Sequence, residues 1–177
     1  MTSQSLAYRG RLIGILLMLL GAWGALVPFI GPYFHFGFTP DRVWDLTSGR
    51  LWLSVAPGAA AFLGGMLIIS TDRAAVAGSF LAALAGGWFV LGLPIVGLWF
   101  SHTISVGAPV YEVGAPFRPD VMTFLERLGY FSGLGVVVLF FAAVAFGEVI
   151  VARMAALRYQ DRITAAMDRQ DDYNTAY

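Results

Sequence analysis

The stretch LIGILLMLLGAWGALVPFI, residues 12–30, contains no charged side chain and decides the fold class. A helix rises about 1.5 Å per residue, so about 20 apolar residues cross the roughly 30 Å hydrocarbon core of a bilayer. Three further stretches meet the same test: residues 51–70, 74–100 and 130–152. Backbone N–H and C=O groups in hydrocarbon must bond within their own segment, so each stretch is predicted to be an α-helix.

The composition supports a bilayer as the solvent of this chain. Of its 177 residues, 58% are hydrophobic and 12% are charged, whereas about a quarter of the residues in a soluble domain are charged. The net charge is zero and cysteine is absent, which argues against nucleic acid as a partner and excludes disulfides and thiolate metal sites. We therefore predict an all-α integral membrane four-helix bundle over residues 1–170, followed by a flexible tail over 171–177.

The arginines predict the orientation of the bundle, because positive residues are retained in the cytoplasm. Four lie in the two long loops, and seven lie on the side of the termini and the short turn: Arg9, Arg11, Arg73, Arg153, Arg158, Arg162 and Arg169. Both termini are therefore predicted to be cytoplasmic in the plasma (inner) membrane, with two outer loops. Lysine is absent while glycine and alanine are abundant, a pattern that favours a bacterial source.

The two hairpins share a sequence pattern, which predicts tandem-repeated transmembrane hairpins. In the first hairpin, the motif Gly21-Ala22-Trp23 is followed by Pro28 and then by His35. In the second, Gly86-Gly87-Trp88 is followed by Pro94 and then by His102. Each hairpin then offers a Pro-Asp pair, at residues 40–41 and 119–120. Proline and an acid are typical of a helix start, so we expect short lead-in helices in both outer loops.

Three residues are candidates for chemistry. His35 and His102 lie at equivalent positions of the two hairpins, and a pair of imidazoles can bind haem iron or another metal ion. Because no other strong ligand accompanies them, we expect no cofactor and keep a haem or metal site as an alternative. Glu148 is the one acid within a predicted span, and its nearness to the span end favours an anchoring role over ion relay.

The first outer loop contains the best candidate for a partner-contact surface. Large apolar rings in an outer loop are expected to pack against the bilayer or a neighbouring subunit rather than face water. The rings of this loop are Phe34, Phe36, Phe38 and Trp44. The charged residues of this loop, Arg50 among them, are expected to form a solvated face or internal salt bridges.

Small residues recur at four-residue spacing in every span, which favours close helix packing and leaves open a contact with a partner subunit. The pairs are Gly10/Gly14, Ala60/Gly64, Ala61/Gly65, Ala82/Gly86, Ala83/Gly87 and Ala143/Gly147. Beyond the fourth span, residues 153–169 predict a cytoplasmic extension of the helix. Its apolar stripe of Leu157, Ile163 and Met167 suits the membrane surface or a cytoplasmic partner.

Together these features predict a non-catalytic membrane protein. We expect an accessory or scaffolding subunit that packs against a larger membrane complex or self-associates, with the lipid bilayer and other membrane subunits as its partners. A small channel or transporter built from the repeated hairpins is an alternative, and it requires a polar lumen. A haem- or metal-binding redox subunit that uses His35 and His102 is the other alternative.

Overall fold

The computed structural model describes residues 3–34, 44–70, 72–99, 121, 124–125 and 127–175, and every element in them is helical. Four long helices account for most of these residues: α1 (Ser3–Ile30), α2 (Ser48–Ser70), α3 (Asp72–Trp99) and α4 (Ser132–Thr175). A 3₁₀ turn, Gly31–Phe34, extends α1, and a π-helical turn, Arg127–Phe131, leads into α4. The predicted all-α class is confirmed.

Each of the four helices contains a segment long and apolar enough to cross a membrane. These segments are Arg9–Ile30, Ser48–Ser70, Ala74–Ile95 and Leu128–Gln170. They contain or closely overlap the predicted spans 12–30, 51–70, 74–100 and 130–152. The agreement is close because charge-free runs of this length leave little choice of boundary.

Each helix packs against the next one in the chain, and α4 also contacts α1, so the four helices form a closed bundle. Neighbouring helices are antiparallel, because Gly14 meets Gly65 while Gly21 meets Gly58 in the pair α1–α2. Short connections favour this arrangement, and α2 is joined to α3 through residue 71 alone.

Helix α2 begins with a short capped turn. Thr47 caps it: its Oγ1 accepts a hydrogen bond from the backbone N–H of Arg50, and its carbonyl accepts one from Leu51. After this turn the helix passes through a π-helical stretch, Leu51–Val55, and continues as a regular helix. The Pro-Asp pairs at 40–41 and 119–120 lie outside the described residues.

Paired glycines bring the helix backbones into direct contact. A Cβ atom added to Gly21 would lie 2.6 Å from the carbonyl oxygen of Gly58, and one added to Gly64 would lie 2.7 Å from that of Gly78. Real Cβ atoms do not approach a carbonyl oxygen so closely, so these positions have no room for a side chain. The first pair joins α1 to α2, and the second joins α2 to α3.

The pair α3–α4 repeats the geometry of the pair α1–α2. A Cβ atom on Gly21 would meet the Gly58 oxygen and, at 2.5 Å, the backbone nitrogen of Phe62, four residues further along α2. A Cβ atom on Gly86 would lie 2.9 Å from the oxygen of Gly135 and 2.9 Å from the nitrogen of Leu139, again four residues further along. The pair α2–α3 shows the same contact, since a Cβ atom on Gly64 would also lie 2.9 Å from the nitrogen of Ala82, four residues beyond Gly78. This contact therefore joins every pair of sequential helices.

The interior of the bundle is apolar. Its main cluster is formed by side chains from all four helices, including Leu17, Ala61, Phe89 and Val138. Among the residues whose burial is described, three polar side chains are buried: Arg50, Ser54 and Ser79. The Ser79 hydroxyl donates to the carbonyl of Ala75, one turn earlier in its own helix, at 2.8 Å, so it presents no free polar group to the interior.

Helix α4 is longer than predicted. It comprises 44 residues and reaches Thr175, within the stretch 171–177 that the sequence predicted to be a flexible tail. Residues 151–170 are exposed along their whole length. We call this part of α4 the extension.

The glycine pairs yield a test of bundle packing. Gly21→Ala and Gly86→Ala each place a methyl group against backbone atoms that cannot move aside, so each should lower the free energy of unfolding by about 1 to 3 kcal/mol. Gly87→Ala and Gly147→Ala are matched controls, because a Cβ atom at either position has no neighbour within 4 Å. Thermal unfolding in detergent measures the difference, and equal losses at all four positions would contradict the packing described here.

Candidate functional site at the aromatic end of the bundle

Tryptophan side chains gather at one end of the bundle, where α1 and α3 end and α2 and α4 begin. We call this region the aromatic end and define it by Trp23, Trp44, Trp52 and Trp88, all of which are exposed. Indole rings combine an apolar body with one N–H donor, so they suit a boundary between apolar and polar surroundings. This end includes Trp44, which the sequence predicts to contact a partner.

Two of these indoles join the hairpins to each other. Trp23 in α1 donates from Nε1 to the carbonyl of Gly129 at 3.0 Å, and Trp88 in α3 donates to the carbonyl of Trp52 at 2.9 Å. Both acceptors lie in π-helical turns, where the altered hydrogen-bond pattern leaves carbonyls available to outside donors. Each hairpin thus donates one bond to the other.

Arg50 is a site residue that sequence reasoning missed. The sequence predicted a solvated face or internal salt bridges for the charges of this loop, and the solvated alternative is wrong for Arg50, because only 5% of its surface is exposed. Its Nη1 donates to the carbonyl of Asp45 at 2.8 Å, and its guanidinium carbon lies 5.9 Å from the centre of the Phe29 ring. A guanidinium can be buried there because the backbone carbonyl and the aromatic face replace part of its water. The sequence feature that could have indicated its burial is its position directly before the apolar run that begins at Leu51.

Trp44 is held in a strained backbone conformation. Its φ is 62°. This lies in the left-handed region, which residues other than glycine adopt at a cost of about 1 to 3 kcal/mol. Its ring stacks on Phe29, with centroids 5.8 Å apart and planes 21° apart, and such stacking returns about 0.5 to 1.5 kcal/mol. The other face of the ring is directed outward, since 63% of the residue is exposed.

A second apolar cluster closes the bundle beneath these residues. Val27, Leu53, Tyr130 and Phe131 are buried together, and the rings of Tyr130 and Phe131 meet edge to face at a centroid distance of 4.1 Å. The base on which Trp44 lies is the ring of Phe29, which is buried at the end of α1. Val27, two residues earlier in α1, belongs to the cluster.

The remaining predicted site residues at this end fall outside what the structure describes. His35, His102, Phe36 and Phe38 lie outside the described residues, and Phe34 is described only as the backbone end of the 3₁₀ turn. Within the described part of the chain, no group of three or more histidine, cysteine, aspartate or glutamate side chains could hold a metal ion. The haem or metal alternative therefore remains a prediction.

Glu148 lies near the opposite end of the bundle, where α4 faces α1. Its Oε2 is buried and has no hydrogen-bond partner among the described residues. This oxygen lies 3.9 Å from the position that a Cβ atom on Gly10 would occupy. This is an ordinary van der Waals distance, so the carboxylate lies directly beside α1 at Gly10, while Arg11 on the same helix is exposed.

The cross-hairpin indole bonds are testable. Trp23→Phe and Trp88→Phe should each lower the free energy of unfolding by about 1 kcal/mol, because each leaves a carbonyl without its donor. Trp52→Phe is the control: it removes an exposed indole but keeps the backbone carbonyl that Trp88 uses. The measurement is unfolding in detergent, monitored by the circular dichroism of the helical backbone, which does not depend on tryptophan. A loss at Trp52 as large as that at Trp88 would show that ring burial, rather than the hydrogen bond, causes the effect.

Comparison with protein-family models, curated proteins and solved structures finds no match to this chain. The function proposed next is accordingly argued from the geometry and chemistry of the chain itself.

Proposed function

We propose that this chain is a non-catalytic integral membrane protein of four spans, with both termini cytoplasmic, in the inner membrane of a bacterium. In this proposal it is an accessory or scaffolding subunit that packs against a larger membrane complex or associates with itself. The observation that carries the proposal is the apolar interior of the bundle, which leaves the molecule's outer surfaces as the places where it can act.

The apolar interior argues against the channel or transporter alternative. A permeation path needs polar groups or water along its length, but the centre of the bundle is filled by Leu17, Phe89 and Val138. The buried Ser79 is satisfied by its own helix. These apolar contacts argue against a polar lumen along the described helices.

The outer faces of the helices support a bilayer as the surroundings. Large apolar side chains in the middle of α1, α3 and α4 are more than half exposed: Leu19, Phe80, Leu84 and Phe140. A water-soluble monomer rarely exposes a continuous apolar surface of this size. Hydrocarbon chains would cover these side chains without cost.

The charge at the two ends supports the proposed orientation. Exposed arginines occur at the end opposite the aromatic end, on α1 and along the extension: Arg9, Arg11, Arg153, Arg158, Arg162 and Arg169. Retention of positive charge in the cytoplasm would place this end inside and the aromatic end outside. The exposed tryptophans of the aromatic end suit the outer headgroup level.

We infer further that the two hairpins are tandem copies of one unit. The inference is supported by the π-helical turn at or just before the start of the second helix of each hairpin. It is also supported by the indole that each hairpin donates to the other's turn. Both hairpins run in the same sense, so an axis along the membrane normal would relate them.

The aromatic end is the proposed contact surface for a partner subunit. Trp44 presents one ring face outward from a rigid base, and exposed aromatic anchors of this kind dominate protein interfaces. The phenylalanines Phe34, Phe36 and Phe38 lie within the ten residues before Trp44 in sequence. Together these side chains would form an apolar patch outside the four spans.

Changing Phe34, Phe36 and Phe38 together to serine tests this surface. We expect loss of association with the native partner or with a second copy, because the apolar contact area disappears, while membrane insertion stays intact. Met154→Ser with Leu157→Ser, at exposed positions of the extension, is the control. Mild solubilisation of native membranes, followed by quantification of co-purifying subunits, is the measurement. Unchanged co-purification would show that this loop is not the contact.

A reporter pair fused after residue 177 tests the orientation. Green fluorescent protein should fluoresce there, and alkaline phosphatase should be inactive, because the first folds in the cytoplasm and the second only outside it. The same pair inserted into the first long loop should give the reverse result. Active phosphatase at the carboxyl terminus would overturn the proposed orientation.

A further inference from the structure

The extension of α4 has no neighbour along most of its length. All of residues 151–170 are exposed, and the helix continues without interruption to Thr175. At about 1.5 Å per residue, the part beyond residue 150 projects by roughly 37 Å. Because it continues the axis of α4, it leaves the bundle rather than bending across its end.

One side of the extension is apolar and shaped by small residues. We call it the alanine face and define it by Ala152, Ala156, Tyr159, Ile163 and Ala166, which follow one another at alternating spacings of four and three residues. This spacing keeps side chains on a single line along a helix and is the pattern of helix–helix contacts. The alanines permit a close approach of a second helix, and Tyr159 and Ile163 provide the larger contacts.

The alanine face continues the interface that already holds α4 in the bundle. Within the bundle, the buried side of α4 is formed by Leu134, Val138, Ala142 and Ala145. These residues lie on the same line of the helix as the alanine face, seven residues separating Ala145 from Ala152. The extension therefore offers, beyond the bundle, the side that α1 and α3 cover within it.

This continuity argues against a second copy in a parallel, side-by-side arrangement as the occupant. A copy standing side by side in the same direction would place its own α4 along the line taken by α1 and α3. The contacts of Gly86 with Gly135 and of Gly24 with Leu134 show that this space is filled. The occupant must instead reach the space beneath the bundle from the aqueous side.

The charges beside the alanine face specify the chemistry of the occupant. Arg158, Arg162 and Arg169 are exposed and lie at helical spacings of four and seven residues along one border of the face. Asp161 and Asp168 lie further around the helix, beyond this border. An apolar surface with one basic edge is complemented by an apolar surface with one acidic edge.

We propose that the alanine face is the docking site for an acidic amphipathic helix of a water-soluble protein. The helix lies along the extension beneath the bundle, its apolar side against Tyr159 and Ile163, and its carboxylates beside Arg158 and Arg162. This contact is separate from the one proposed for the aromatic end. It requires only that the extension lies in water, on whichever side of the membrane that is.

Site-specific photo-cross-linking in intact cells tests the proposal on the full chain. A photoreactive phenylalanine analogue at Tyr159 or Ile163 should give one adduct, and the same analogue at Leu157 or Thr164 should give none. These two controls are exposed and lie about 100 to 160° around the helix axis from Tyr159 and Ile163. Leu157 therefore does not lie on one line with Ile163, as the stripe predicted from the sequence required. Peptide mapping should place the cross-link in a segment with apolar residues at helical spacing and carboxylates along one edge.

Charge reversal provides the second readout. Arg158→Glu with Arg162→Glu should lower the adduct yield about tenfold or more, while Arg158→Lys with Arg162→Lys should retain most of it. Because all these side chains are exposed, insertion and thermal unfolding should not change, and both are measured alongside. An adduct of twice the chain mass, an adduct with lipid, equal yields from both sides of the helix, no adduct, or no response to charge reversal would each overturn the proposal.

Discussion

The direct contact between helix backbones at paired glycines is the constraint on which the rest of the structure depends. Small residues let helix backbones approach closely, and dispersion contacts at this short range hold the helices together. Gly21 with Gly58, Gly64 with Gly78, and Gly86 with Gly135 provide such contacts between each pair of sequential helices. A bundle closed in this way has little interior space, and Leu17, Phe89 and Val138 fill what remains.

Because the interior of the bundle is closed and apolar, its distinctive polar and aromatic groups lie at the two ends. At the aromatic end, bonds from Trp23 and Trp88 join each hairpin to the other, and Trp44 is presented on a buried base. At the opposite end, the side of α4 that packs against α1 and α3 within the bundle continues along the extension, where it is exposed. The two ends have different chemistry, aromatic at one and arginine-bordered at the other.

Two features illustrate what sequence patterns miss. Arg50 reads as a loop charge because charges before an apolar run are usually solvated, yet a carbonyl of Asp45 and the ring of Phe29 enclose it. The small-residue pairs read alike in every span, yet Gly86 meets a backbone while Gly87 beside it meets nothing within 4 Å. Both outcomes depend on which side of a helix faces a neighbour, and spacing alone does not specify the neighbour.

The sequence by itself determined that the chain contains four long apolar helices and roughly which residues form their apolar parts, because runs such as 12–30 are long, apolar and free of charge. It also supplied the shared motif around Trp23 and Trp88. It did not determine that α1 begins as early as Ser3 or that α4 reaches Thr175. Only the tertiary structure decided which glycines touch, that these two indoles bond across hairpins, and that Arg50 is buried. Those contacts join residues far apart in the chain, so they arise from the relative rotation and depth of the helices, which no local pattern encodes.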